Sequence, residues 1–358
     1  MSSLNSPPTS SSESSPAADT FSTHQATRPL PFVHPTRAVF AAHPRPPSES
    51  SVVGAHWSAR SSRKNRYLSR PLAVKPHLSV VLEQRLHHAH ARFKLHLAWD
   101  LSFWVAQVFV LGSALWVINA FLLYLPLLDV GPANPDAAAW CAFAGGTFFE
   151  VGGYLMVVEA LNTGHEQMFG PALWGLVSGE DFDSEMPAKP VQFRWYGVGS
   201  WRELGFLACF IQMIAATVFW ISTITGIPDV IHNLNTDPPT AITDVFFWTP
   251  QVVGGTGFFI SSLFLMLEVQ RTWWIPNIGS LGWHIGLWNL IGAVGFTLCG
   301  ALGYAAATST KANYQSVLST FWGSWAFLIG STIQLWETLW REDPTAPAPS
   351  SPGREKGS

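Results

Sequence analysis

Six apolar stretches, at about 101–125, 138–161, 203–226, 246–269, 283–306 and 316–338, run through the chain with polar segments between them. Each is near the roughly 20 residues a helix needs to cross the hydrocarbon of a bilayer. The pattern predicts an all-α fold: a polytopic membrane bundle of six transmembrane helices. Pro126 and Pro228 follow the first and third stretches, where a helix can stop. Thr249 and Pro250 read as the N-cap and first helical position of the fourth. Trp99, Trp104, Trp140, Trp201, Trp248, Trp283, Trp322 and Trp340 fall near predicted ends, as an interfacial aromatic belt would.

Ahead of the spans the pattern changes twice. Residues 1–75 are polar and rich in Ser and Pro, with "SSLNSPPTSSSESSP" and "HPRPPSESS". Such a tail cannot bury enough apolar surface to offset its chain entropy, and it is expected to be disordered. In residues 76–99, Leu78, Val81, Leu82, Leu86 and Phe93 recur at helical spacing, with Arg85, His87, His88, Arg92 and Lys94 between them. This reads as a basic amphipathic juxtamembrane helix on the membrane surface, with anionic lipid as a candidate partner. The membrane domain spans 100–340, and residues 341–358 form a short C-terminal tail, also expected to be disordered.

A fifteen-residue frame recurs ungapped in the second, fourth and sixth spans: "GGTFFEVGGYLMVVE", "GGTGFFISSLFLMLE" and "GSWAFLIGSTIQLWE". Small residues at Gly145 and Gly152, Gly254 and Ser261, and Gly323 and Gly330 flank a central Phe149, Phe258 or Phe327. At 100° per residue these fall on one helix face, where small side chains let backbones approach closely in lipid. Weaker copies are read as Ala106, Phe109, Gly112 and Ser113; as Ala215, Ala216, Phe219, Ser222 and Thr223; and as Gly292, Ala293, Phe296, Cys299 and Gly300. The unit implied is one helical hairpin repeated three times.

Each strong copy closes on an acid. Glu159, Glu268 and Glu337 should share one end of the bundle, with Glu203, Arg202, Arg271, Arg341 and His284 at similar depth. This cytosolic acid cluster reads as interfacial ion pairing that fixes the bundle, or as a cation or proton vestibule. Glu150 lies nine residues before Glu159, about 13 Å deeper, and points away from the small-residue face. A mid-membrane acid is a candidate transport or proton site, with Gln212, Gln107 and Asn289 as polar neighbours. A satisfied polar network is the plainer reading of the same residues.

Charge sets the orientation. Lys and Arg concentrate before span one (Arg85, Arg92, Lys94), between spans two and three (Lys189, Arg194, Arg202), after span four (Arg271) and after span six (Arg341). The opposite loops hold only Lys311 among the cations. Positive-inside bias then puts both termini in the cytosol, in a membrane that the sequence does not name. No basic stretch followed by an apolar h-region opens the chain, and the first span is expected to act as its own insertion signal.

Composition agrees: 48% of the 358 residues are hydrophobic and 12% charged, against about 25% charged in soluble domains. The net charge of −3 adds little. Cys141, Cys209 and Cys299 lie within apolar stretches and form neither a disulfide framework nor a metal set. His87, His88, His90 and His96 sit among cations without metal-site spacing, and "EDFDSE" at 180–185 lacks the ligand pattern of a calcium loop. No phosphate-binding loop or nucleophile–base pair is present. No catalytic residue, cofactor, metal or nucleic acid is expected.

At "GSALWVIN", "FEVGGYLMVVEALN", "FWTPQVVGGTGFFISSLFLMLE", "GWHIGLWNLIGAVGFTLCGALGY" and "STFWGSWAFLIGSTIQLWETL" the chain resembles a group of uncharacterised fungal integral membrane proteins, over about 100–340. The frame at Phe327–Ser331 is also similar to the two-helix YrhK-like membrane domain. The resemblance implies a polytopic helical fold and no assigned activity. The function expected is that of a non-enzymatic multi-pass membrane protein. The alternatives are a small secondary transporter or channel using Glu150, and a scaffold recruiting cytosolic partners through its N-terminal tail.

Overall fold

A computed structural model describes residues 21–42, 53–64, 101–163, 194–234 and 236–339. It is mostly helical, and six long helices dominate: α2 Leu101–Tyr124, α3 Pro135–Leu161, α4 Leu204–Thr225, α5 Thr240–Glu268, α6 Leu281–Gly303 and α7 Thr310–Leu339. The first five are long and apolar enough to cross a membrane. Helix α7 is longer but richer in Ser, Thr and Gln, and falls outside that group. Each helix packs on the next in the chain, and α7 packs back on α2, which closes a ring of six. Leu111, Ile118, Val151, Ile214, Ile221, Val253, Ile260 and Leu298 face outward, the apolar exterior that helices long and apolar enough to cross a membrane would present to lipid.

The ring interior is aromatic. Trp116, Phe219 and Phe296 form one triangle, with ring centroids 5.6, 4.8 and 5.4 Å apart. Phe149, Phe258 and Phe327 form a second, at 6.1, 6.1 and 5.4 Å. Phe219–Phe258 and Phe296–Phe327 contacts at 5.7 and 5.1 Å join the two layers. One ring thus comes from each of the six helices. The backbones come close because small residues sit between the rings. A Cβ on Gly295 would stand 2.7 Å from the Ser319 carbonyl oxygen and 2.8 Å from the Gly323 Cα.

This packing corrects one register. The frame in α2 centres on Trp116, not Phe109. Gly112, Ser113, Trp116, Asn119 and Ala120, all buried, match Ala215, Ala216, Phe219, Ser222 and Thr223 in α4 position for position. The substitution of Trp for Phe hides the match in the sequence. Phe109 instead sits seven residues toward the other end, edge-on to Phe149 at 5.5 Å and against Gly152.

Helix α5 differs from expectation as well. Thr249 does not cap it. The helix already runs from Thr240, with a π-turn at Asp244–Trp248. Pro250 has no N–H for the Phe246 carbonyl four residues back. The Thr225 hydroxyl of α4 donates to that carbonyl instead, at 2.8 Å.

Residues 1–75 do not read as one structureless tail. Strands β1 Phe21–Thr27, β2 Arg37–Ala42 and β3 Val53–Ser58 form an antiparallel sheet in chain order, and β3 runs into a one-turn helix, α1 Ala59–Arg63. Composition alone could not show this, because the sheet is held by docking on the bundle. His34 N–H donates to the Arg202 carbonyl at 2.8 Å, and Arg37 Nη2 to the Val269 carbonyl at 2.9 Å. Val33 is buried with Leu204 and Leu267. The amphipathic helix of 76–99, the loop acids of 180–185 and the tail 341–358 lie outside the described residues.

Candidate functional site at the carboxylate end of the bundle

Helices α3, α5 and α7 run in the same sense, so their last turns bring Glu159, Glu268 and Glu337 to one end of the ring. Each Glu follows its central Phe by ten residues, and the side chains are 2%, 1% and 6% exposed. Carboxylates buried to this degree require cations. They receive them from α1. Ser58 caps that helix, its Oγ accepting the Ser61 N–H at 3.2 Å. Arg60, Arg63 and Lys64 follow at i, i+3 and i+4, the spacing of one helix face.

The pairing is specific. Arg60 makes a two-pronged bond to Glu337, Nη1 to Oε1 at 2.5 Å and Nη2 to Oε2 at 2.7 Å. Arg63 bridges two helices: Nη2 and Nε donate to Glu268 at 2.6 and 3.3 Å, and Nη1 to Glu159 Oε2 at 3.0 Å. Lys64 Nζ donates to both oxygens of Glu159, at 3.2 and 3.3 Å. The Ser102 hydroxyl in the first turn of α2 also donates to Glu159. Among the described residues, three carboxylates thus meet three cations. Burial pulls the Arg63 guanidinium pKa down, but Glu268 and then Glu159 outweigh it and hold it well above its ordinary value. Arg60 is raised for the same reason, through Glu337.

The first turns of α4 and α6 complete the walls. A Cβ on Gly205 would lie 2.9 Å from Arg63 Nε and closer still to Glu268, and one on Gly282 would lie 2.7 Å from Arg60 Nε. Gly205 and Gly282 stand fourteen residues before Phe219 and Phe296, and Ser102 stands fourteen before Trp116. Three equivalent positions around the ring therefore line the ion-pair cluster, Ser102 against Glu159, Gly205 against Glu268 and Arg63, and Gly282 against Arg60.

The sequence pattern anticipates the carboxylates but not their partners. Arg202 and Arg271 are exposed, and His284 Nε2 bonds the Ile278 carbonyl at 2.8 Å. Arg341 lies outside the described residues. Glu203 is the N-cap residue of α4 at the same end. The signal for the true partners was the run Arg60, Arg63, Lys64 behind a capping Ser58, set in a segment whose composition reads as disordered.

Glu150 lies elsewhere. It sits on the outer side of the α3–α4 seam, half-exposed, with the Thr217 hydroxyl 3.0 Å from its Oε1. Gln212 is buried, while Gln107 and Asn289 are partly exposed. Gln212 and Asn289 occupy the position that Phe109 fills in α2, seven residues before the central ring. The frame residues act as notches: Gly145 against Trp116, Gly152 against Phe109, Gly254 against Phe219, Gly323 against Gly292 and Gly330 against Asn289. Ser261 Oγ donates to the Ala208 carbonyl at 2.8 Å. Among the described residues no group of three His, Cys, Asp or Glu side chains converges to hold a metal ion.

No family model, curated protein or solved structure matches the chain.

Proposed function

We propose that this is a six-span, non-enzymatic integral membrane protein, built from three helical hairpins with both termini cytosolic, and that it works as a scaffold holding its N-terminal module against the inner end of the bundle. The observation that carries this reading is the set of bonds from Arg60, Arg63 and Lys64 to Glu337, Glu268 and Glu159. The bundle spends its buried charge on gripping a segment of its own chain. Three acids at one end and one ring per helix fit a threefold hairpin repeat. The helix α7 completes a ring whose other members are all span-length, which supports counting it as the sixth span.

A transporter using Glu150 has less support. The axis is filled by two layers of aromatic rings, and Glu150 faces outward rather than into it. Flux decides between the two readings. Purified protein in liposomes is expected to pass neither protons nor common cations under a gradient. Flux that Glu150→Gln abolishes would replace the scaffold with the transporter.

A further inference from the structure

We infer that the carboxylate end of the bundle is a binding socket for a cationic peptide of the pattern Arg-x-x-Arg-Lys, occupied in cis by residues 60–64 and able to exchange that occupant. Two independent features point to this ligand. The first is the division of labour among the acids: Glu337 and Glu268 each take a guanidinium with two bonds, while Glu159 takes the ammonium of Lys64 and the remaining Arg63 nitrogen. The second is the wall. Glycines stand at the two guanidinium positions and a serine at the ammonium position, and a Cβ on either glycine would fill the space the Arg Nε occupies. A socket needing only positive charge would not need these notches. Planar guanidinium forks do, because they must lie flat against a helix backbone to reach a carboxylate with both prongs.

The ligand is short and local. Residues 59–63 make one helical turn between Ser58 and Lys64, its N- and C-cap residues, and residues 65–100 of the sequence join it to α2. It meets acids from three different helices, so it binds the assembled end of the ring and not one hairpin. This deepens the scaffold reading by naming what the socket recognises. It does not depend on transport: ion flux would overturn the scaffold and leave the socket standing.

The test uses the full chain in detergent with a protease site inserted between residues 70 and 71. After cleavage, a fluorescent peptide of residues 56–66 is titrated in. Exchange is expected, with binding at least tenfold weaker when Arg60 and Arg63 of the peptide are replaced by lysine at unchanged charge. Equal binding of the lysine peptide would overturn the proposal, because charge alone would then suffice. An N-terminal fragment that neither the peptide nor high salt displaces would also overturn it, by making the sheet the anchor. In the uncut chain, tryptic cleavage after Arg60 and Arg63 is expected to be about tenfold faster in Gly205→Ala and Gly282→Ala than in wild type, with Gly279→Ala unchanged. Equal protection in all three variants would sink the notch argument without any step that requires refolding.

Discussion

The indole of Trp116 lies 4.8 Å from the ring of Phe296, edge to face, and this contact puts the α2 ring in one layer with those of α4 and α6. It also places Ser102 opposite Glu159, fourteen residues away at the carboxylate end.

Trp116→Ala is expected to cost about 3–5 kcal/mol, as large aromatic truncations in packed cores do. Trp116→Phe keeps a ring in the triangle and should cost less than half of that. Thermal unfolding in detergent measures both. Equal losses would mean that the triangle does not care which ring fills the α2 corner.

The glycine notches predict a contrast. Gly295→Ala pushes a methyl into the backbone of α7, which cannot swing aside as a side chain would. A loss of about 1–3 kcal/mol follows from overpacking. Gly279→Ala meets nothing within 4 Å and should stay within about 0.5 kcal/mol of wild type. Chemical denaturation of the two variants side by side is the check.

Arg63→Ala leaves Glu159 and Glu268 without their shared cation. Breaking a buried pair from one side costs about 3–5 kcal/mol, mostly through the stranded charge. Adding Glu268→Gln should recover part of that loss. A double variant less stable than the single one would show that the carboxylate is useful without Arg63.

Thr225 and Pro250 should be coupled. Thr225→Val removes the donor that satisfies the Phe246 carbonyl and should cost about 1 kcal/mol. In a Pro250→Ala background the restored N–H can serve the same carbonyl, so Thr225→Val should cost little there. A double-mutant cycle in thermal stability reads the coupling.

Much of the bundle was legible because lipid imposes simple rules. Apolar length marked six helical segments, of which five are apolar enough to cross a membrane, and the notched face in α3, α5 and α7 followed from Gly and Ser spaced around Phe149, Phe258 and Phe327. The copy in α2 was misread because Trp116 breaks the pattern by side-chain identity while keeping its place in the packing. The N-terminal sheet was not legible: its strands are short, and their stability comes from contacts with the loops at Arg202 and Val269, which no local pattern reveals. The three acids were visible, but the cations expected beside them, Arg202 and Arg271, are exposed, and the partners come instead from Arg60, Arg63 and Lys64, far away in the sequence.

Arg60 and Glu337 are 277 positions apart. Translation makes the arginine before any of the six long helices and the glutamate near the end of the last of them. While the helices are being made, these cations wait for an acid set that is unfinished. The clasp is complete only when α7 has seated against α2 and brought Glu337 to Arg60, so a complete clasp reports that all six helices are in place.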